Sequence, residues 1–255
     1  DIIHDQYLFA DANFEAKQYQ AALDSYYAIA YTPEEEEPSA ALTKILQQSA
    51  YATTVTIREL IAQQDTNDTE QVTAFIRKRN QLDKQFINQY PQDERALQLA
   101  TNAAQYSFDS QDQANLTFYT DFVLQAYGIT PLTSSSNTVQ TARPLSDTAQ
   151  KQVQFVSQLY ANSLYQQEQY ARAEEGYILA LQYTDPQTPS WSEMRNLLAS
   201  SIYFQAQAVK QTEPELAVSQ LLRVAQAVPE SQYAVNAELD AANLLLEQQR
   251  WQLRL

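Results

Sequence analysis

The segment "YQQEQYARAEEGYILALQYTDP" (residues 165–186) alternates aromatic residues and alanines at Tyr170, Ala173, Tyr177 and Ala180. Steps of three and four residues return to the same side of an α-helix. Alanine lets two helix backbones approach closely, and aromatic rings one turn away fill the space between neighbouring helices. The segment therefore predicts the second helix of a packed helix hairpin.

A second segment near the N-terminus, "FEAKQYQAALDSYYAIAYTP" (14–33), has almost the same pattern. In both regions an aromatic residue followed by alanine also lies at the same distance upstream. Because equal spacing predicts equal packing, we interpret the two regions as copies of one repeated hairpin. The matching residues are Phe9, Ala10, Tyr19, Ala22, Tyr26 and Ile29 in the first region and Tyr160, Ala161, Tyr170, Ala173, Tyr177 and Ala180 in the second.

The composition favours helices throughout the chain. Its 255 residues include 2 Gly and 9 Pro, too few for the many turns of a β-fold. Helical periodicity covers most of the sequence, and short connections between amphipathic helices imply antiparallel neighbours. We therefore predict an all-α fold with helices at about 2–17, 20–31, 39–64, 68–90, 94–108, 112–127, 147–167, 170–184, 190–210, 214–227 and 232–249.

One long segment without helical signals divides the chain. "ITPLTSSSNTVQTARPLS" (129–146) is rich in Ser, Thr and Pro, and is the best candidate for a linker or a functional loop. It separates an N-terminal helical lobe, residues 1–128, from a C-terminal lobe, residues 147–255. Gly128 is expected to end the preceding helix as a left-handed C-cap, and "TPEEEEP" (32–38) is expected to be a solvated acidic loop. Asp68, with Gln71 three residues later, has the form of a capping box and is expected to cap the helix that follows it.

The repeated hairpin resembles the tetratricopeptide repeat (TPR), a unit of about 34 residues. Units fit at 4–34, 155–188 and 194–229, and "VPESQYAVNAELDAANLLLEQQRW" (228–251) resembles the opening of another. Residues 39–127 match only loosely. The resemblance implies a right-handed α-solenoid of antiparallel helix hairpins with a degenerate middle section.

Two phrases, "PESQYAVNA" from Pro229 and "YPQD" from Tyr90, resemble repeats of bacterial cell-envelope TPR proteins. That resemblance implies a periplasmic or cell-envelope location, with the cytoplasm still open. The chain begins with Asp1 rather than Met and ends in "WQLRL" (251–255), where a second helix would begin. We therefore expect a segment of a longer repeat array, in which a further helix follows.

Composition argues against several kinds of chemistry. The net charge of −15 disfavours nucleic acid and anionic lipid, and no apolar run is long enough for membrane insertion. The chain has no Cys, one histidine (His4) and no glycine-rich phosphate loop, so we expect no enzyme activity, cofactor or metal. The carboxylate pairs Glu174 with Glu175 and Glu238 with Asp240 could act on glycans, although solvated helix surface is the preferred interpretation.

In a TPR array the concave groove is lined by the first helix of each hairpin. The resemblance assigns to this protein-binding groove Tyr7, Asp11, Phe14, Gln158, Asn162, Tyr165, Asn236 and Asn243. Asp11, Asn162 and Asn243 occupy equivalent places, but the Lys and Arg that clamp a C-terminal carboxylate in co-chaperone TPRs are missing. The alternative, that these side chains only form hydrogen bonds along the solenoid, remains open.

The resulting hypothesis is a non-catalytic scaffold that binds a protein or peptide partner, basic or neutral, in its groove. Two other interpretations remain. One is an α-superhelix that binds or processes cell-wall glycan, with Tyr rings stacking on sugars. The other is a spacer that has no ligand of its own.

Overall fold

A computed structural model describes residues 2–31, 38–133 and 144–252, with side chains described as far as residue 249. This part of the chain contains eleven α-helices and no β-strand. The predicted all-α fold is therefore confirmed. The helices are α1 (Ile2–Glu15), α2 (Tyr19–Tyr31), α3 (Ala40–Ala62), α4 (Thr69–Gln89), α5 (Glu94–Asp109), α6 (Gln113–Ala126), α7 (Asp147–Gln166), α8 (Tyr170–Gln182), α9 (Pro189–Val209), α10 (Pro214–Ala227) and α11 (Gln232–Gln252).

Several helices begin where a short polar side chain caps the first turn. In each case the side-chain oxygen accepts a hydrogen bond from a backbone N–H in the first turn that has no partner within the helix. The cap expected at Asp68 is confirmed by its bond from the Gln71 amide, at 3.1 Å. The capping residues are Ser39, Asp68, Asp112, Ser146 and Thr188.

Three turns between helices share one geometry. Lys17, Gln111 and Glu168, which follow α1, α5 and α7, have φ of 58°, 58° and 59°. At each turn the next amide bonds back to a carbonyl five residues earlier, as in the Schellman C-cap. The turn between α5 and α6, in the loosely matching middle section, therefore has the same geometry as the turns of α1/α2 and α7/α8. Gly128, with φ of 66°, is the left-handed C-cap that was predicted.

The helices pack in chain order within two compact units, Asp1–Ala100 and Thr101–Leu255. In unit 1, α1 packs on α2, α2 on α3 and α3 on α4. In unit 2, each helix from α6 to α11 packs on the next one. Alternate first helices also meet, α1 with α3 and α9 with α11. Packing between consecutive helices is the arrangement of an α-solenoid.

Unit 1 is held together by small apolar clusters and one buried ion pair. Ala10, Ala22 and Tyr26 join α1 to α2. Between α3 and α4, the Arg58 guanidinium donates two hydrogen bonds to Asp83, at 2.8 and 2.7 Å, and the Asp83 side chain is fully buried. A buried carboxylate requires such a partner, so this pair fixes the α3/α4 packing.

A second charged contact in unit 1 lies at the start of α5. Asp93 accepts hydrogen bonds from the side chains of Arg95 and Gln47, and Arg95 stacks 4.3 Å over the Tyr51 ring. The Arg95 hydrogen bond lowers the pKa of Asp93 to about 2. Because the unfolded value is near 3.9, this contact stabilises the fold above about pH 4, and that stabilisation is lost as the pH falls toward 2.

Unit 2 has a larger core, which runs from α7 to α11. Tyr160 and Tyr177 are completely buried in it. Gly176 of α8 lies directly against Ala161 of α7, so closely that a Cβ added at Gly176 would be 2.8 Å from the Ala161 Cβ. Small residues therefore set the distance between these two helices, as the spacing of alanines predicted.

Several expectations fall on residues outside the described part of the chain. These are most of the acidic loop (32–37), the middle of the proposed linker (134–143), and the last residues of the terminal segment (253–255). At the start of the linker, Ile129 is buried and Thr133 donates a hydrogen bond to Asp121. The division into lobes at 129–146 stays a prediction. No described helix has the length and apolarity needed to cross a membrane.

Candidate functional site: an aromatic strip in unit 2

Five aromatic rings form a continuous strip across α7, α8, α9 and α11. Tyr165 contacts Tyr170, with ring centroids 5.3 Å apart, and Tyr170 contacts Phe204 at 5.1 Å. Phe204 contacts Tyr203 at 5.7 Å, and Tyr203 contacts Tyr233 at 5.5 Å. The rings meet in edge-on or tilted geometry, which is the favourable arrangement for aromatic pairs. We call this set the aromatic strip.

All five rings of the aromatic strip are half-buried. Tyr165, Tyr203 and Tyr233 pack with one side against the core of unit 2 and keep part of their surface open. Because their positions are fixed by packing, little conformational entropy would be lost when a ligand covers them. Rigid, partly exposed Tyr and Phe side chains are enriched in protein-binding surfaces.

A polar group adjoins the aromatic strip at Asp240 of α11. Its Oδ2 accepts hydrogen bonds from the Tyr203 hydroxyl, at 2.7 Å, and from the Gln207 amide, at 2.8 Å. Burial, together with the Asp240 carboxylate, raises the pKa of Tyr203 to about 12. Tyr203 therefore stays a hydrogen-bond donor at neutral pH, and these bonds join α9 to α11.

The expectation that Glu174 belongs to a solvated helix surface is wrong. Its side chain is buried and pairs with Arg223 of α10, and its other oxygen accepts a hydrogen bond of 2.7 Å from Gln205 of α9. Burial and the neighbouring Glu174 raise the pKa of Glu175. Glu174 thus ties three helices together, and its carboxylate is fully engaged in structural contacts.

Two predicted groove residues in equivalent places accept the same hydrogen bond. The Tyr177 hydroxyl donates to Asn162 at 2.8 Å, and the Tyr26 hydroxyl donates to Asp11 at 2.5 Å. In both hairpins the donor lies on the second helix, fifteen residues after the acceptor. These contacts match the open alternative in which the polar residues bind along the solenoid, although the Nδ2 of Asn162 donates no hydrogen bond within the described residues.

The other predicted groove residues are distributed over both units. In unit 1, Tyr7 packs on Tyr26 with centroids 5.9 Å apart, and Phe14 packs on Tyr19 at 5.2 Å. In unit 2, Gln158 accepts a hydrogen bond from Gln154, and Tyr165 belongs to the aromatic strip. Asn236 and Asn243 are exposed on α11.

Sequence reasoning did not find the central residues of the aromatic strip, Tyr203 and Phe204, or the adjacent Gln207 and Tyr233. The first helix of the unit at 194–229 received no groove assignment. Its turn "KQTEPE" (210–215) is longer than in the other units, so the register could not be transferred from them. The adjacent aromatic pair in the middle of a predicted first helix was the available signal.

The described residues contain no group of three or more His, Cys, Asp or Glu side chains close enough to hold a metal ion. No protein-family model matches this chain, and no curated protein sequence matches it significantly.

Proposed function

We propose that this chain is a non-catalytic, TPR-like scaffold that binds a protein partner, as a segment of a larger bacterial envelope protein. The observation that carries the proposal is the aromatic strip, because five rings held in place on four helices of unit 2 form a ready-made contact surface. The common geometry of three turns between helices and the equivalent Tyr26–Asp11 and Tyr177–Asn162 bonds support a repeat origin.

The shape of the site favours an extended or helical peptide as ligand. The rings follow one another along α7, α8, α9 and α11, so a peptide laid along them meets an aromatic side chain on each helix. Amide groups near the strip, at Asn162 and Gln207, are suited to bind a peptide backbone. The net charge of −15 favours a basic or neutral partner.

The residue inventory supports the non-catalytic part of the proposal. The single histidine, His4, is exposed in the first turn of α1, and the chain has no cysteine. The buried carboxylate Glu174 is already paired with Arg223. These groups do not form a pairing of nucleophile and base in the described structure.

The test is an affinity capture from a bacterial envelope extract, read by mass spectrometry and followed by a binding measurement with the purified partner. The double variant Phe204→Ala/Tyr233→Ala removes the middle and one end of the aromatic strip. The control Leu222→Ala changes a residue that is 46% exposed on α10 and lies outside the strip. We expect the strip variant to lose about 2 kcal/mol or more of binding free energy, and the control to lose none.

Glycan binding is the second candidate, because the faces of exposed Tyr and Phe rings also stack on sugars. Purified peptidoglycan fragments, titrated against the chain and against Phe204→Ala/Tyr233→Ala, separate the two candidates. Saturable, strip-dependent glycan binding would replace the protein-binding proposal. If neither a protein nor a glycan depends on the strip, the chain acts as a spacer.

A further inference from the structure

An open cleft with a volume of ≈ 470 Å³ lies beside the aromatic strip, between the start of α8, the end of α9 and α10. Its apolar wall is formed by Tyr170, Ala171, Ala208, Val209 and Leu216. Tyr170 belongs both to this wall and to the aromatic strip. A peptide that lies along the strip therefore passes the mouth of the cleft.

The cleft wall includes an apolar side chain that the fold leaves open. Leu216 is 42% exposed although it lies on α10, which packs against both α9 and α11. The volume of the cleft is within the range of about 300–1,000 Å³ that is typical of ligand sites. An aliphatic side chain of a bound peptide would cover Leu216 and exclude water from the wall.

The rim of the cleft carries two opposite charges, and only one of them is bound by other side chains of the fold. The Arg172 guanidinium donates hydrogen bonds to Gln169 and to the Tyr160 hydroxyl, so it is held within the fold. The Glu168 side chain is exposed, and its carboxylate forms no hydrogen bond or ion pair with a described residue. The carboxylate is therefore the charge on this rim that is left for a ligand.

We propose that this cleft is the anchor pocket of the peptide site and recognises a large aliphatic residue next to a lysine or arginine. The aliphatic side chain packs against Leu216, Val209 and the Tyr170 ring, and the basic side chain pairs with Glu168. This inference rests on the proposed function, since it names the partner chemistry of the same site. Most of the affinity comes from the apolar anchor, while the Glu168 contact selects the neighbouring residue.

The fold supplies a matched way to reverse the charge. Glu168 occupies the left-handed turn position between α7 and α8, with φ of 59°, and the same position in the α1/α2 turn is Lys17, with φ of 58°. Glu168→Lys therefore places a residue that this turn already accepts. Leu216→Asp adds a charge to the apolar wall, and Leu222→Asp adds the same charge to α10 at a similarly exposed position outside the cleft.

The experiment selects a phage-displayed library of random 12-residue peptides against the intact chain, then measures affinities by fluorescence anisotropy. We expect the enriched peptides to share an aliphatic residue adjacent to Lys or Arg. Glu168→Lys should weaken their binding roughly tenfold, and exchange of the peptide's basic residue for Glu should restore binding to this variant. Leu216→Asp should weaken binding at least about tenfold, while Leu222→Asp should leave it unchanged.

The outcomes separate this inference from the function it rests on. Some peptides could bind more weakly to Phe204→Ala/Tyr233→Ala but equally well to Glu168→Lys and Leu216→Asp. This result would overturn the anchor pocket and leave the aromatic strip as the binding site. Peptides with an aliphatic anchor but no preference for a basic neighbour would overturn the role of Glu168. Failure to enrich any peptide above the carrier surface would overturn both proposals.

Discussion

The hairpins α1/α2 and α7/α8 have one pattern of spacing and differ in what surrounds them. Both have an aromatic pair across the turn, Phe14–Tyr19 at 5.2 Å and Tyr165–Tyr170 at 5.3 Å. Both also have a tyrosine on the second helix that bonds back to the first. Yet Phe9 is 63% exposed, whereas the equivalent Tyr160 is completely buried.

Neighbouring helices account for this difference. Helix α7 packs against α6 and α8, so it is covered on the side that faces the preceding hairpin as well as on the side of its partner. Within the described residues, helix α1 packs against α2 and α3. Spacing along one helix thus determines how a hairpin closes. How much a residue contributes to the free energy of unfolding depends on the helices packed around it.

The largest test of this comparison is alanine substitution at the two equivalent aromatic positions. Tyr160→Ala removes a fully buried ring and should lower the free energy of unfolding by about 3–5 kcal/mol. Phe9→Ala removes a mostly exposed ring and should cost less than about 1 kcal/mol. Both tryptophans, Trp191 and Trp251, lie in unit 2, so their fluorescence during urea unfolding reports on Tyr160→Ala.

Far-UV circular dichroism follows unit 1, which has no tryptophan, in the Phe9→Ala variant. If Phe9→Ala and Tyr160→Ala lowered the free energy of unfolding equally, the two side chains would be equally buried in solution. That result would contradict the difference in burial described above.

The next test concerns the two tyrosine hydroxyls. Tyr26→Phe leaves the Asp11 carboxylate without its hydrogen bond and should cost about 1.5–3 kcal/mol, because bonds to charged groups are the stronger kind. Tyr177→Phe removes a bond to the neutral Asn162 and should cost about 1 kcal/mol. Thermal unfolding of both variants gives the order, and a larger loss for Tyr177→Phe would contradict it.

A smaller net effect is expected where the two hairpins differ in residue size. Gly176→Ala would place a Cβ 2.8 Å from that of Ala161, and such overpacking costs about 1–3 kcal/mol. The higher helix propensity of alanine returns about 1 kcal/mol, which leaves a net loss of up to about 2 kcal/mol. The equivalent residue in α2 is Ser25, and Ser25→Ala should change the free energy of unfolding by only a few tenths of a kcal/mol. Urea titration of both variants measures the difference, and a stabilised Gly176→Ala would show that the helices can move apart freely.

The smallest effect should come from exchanging the two acceptors. Asp11→Asn gives the first hairpin the neutral acceptor of the second, and the Tyr26 hydroxyl can still donate to it. We expect a loss below about 1 kcal/mol, and a double-mutant cycle with Tyr26→Phe should show a weaker coupling than in the native hairpin. A coupling unchanged by Asp11→Asn would mean that charge adds nothing to this bond.

Much of the fold could be predicted because helices depend on local patterns. The helix ends at Tyr31, Tyr170 and Ala227 coincide with those expected, and the Asp68 cap and the Gly128 turn follow from side-chain chemistry. Each of these signals lies within a few residues of the feature that it specifies.

The candidate site was less accessible to prediction because it depends on contacts between distant segments. Phe204 contacts Tyr170 and Tyr233 across 34 and 29 residues, and no local spacing encodes those contacts. Glu174 resembles any surface glutamate until Arg223, 49 residues later, is placed beside it. Tyr165 was found because it lies within a repeated hairpin, where the pattern of one copy could be transferred to another.

The chain-order packing of the helices has a consequence for how the protein folds. Because most helix contacts within each unit join helices that follow one another in the chain, the loops that must close are short and little entropy is lost before contacts form. A hairpin such as α7/α8 can therefore close as soon as its two helices leave the ribosome and can serve as a template for the next. Folding that advances along the chain in this way tolerates the gain or loss of a whole hairpin, which is how repeat arrays change length without losing their fold.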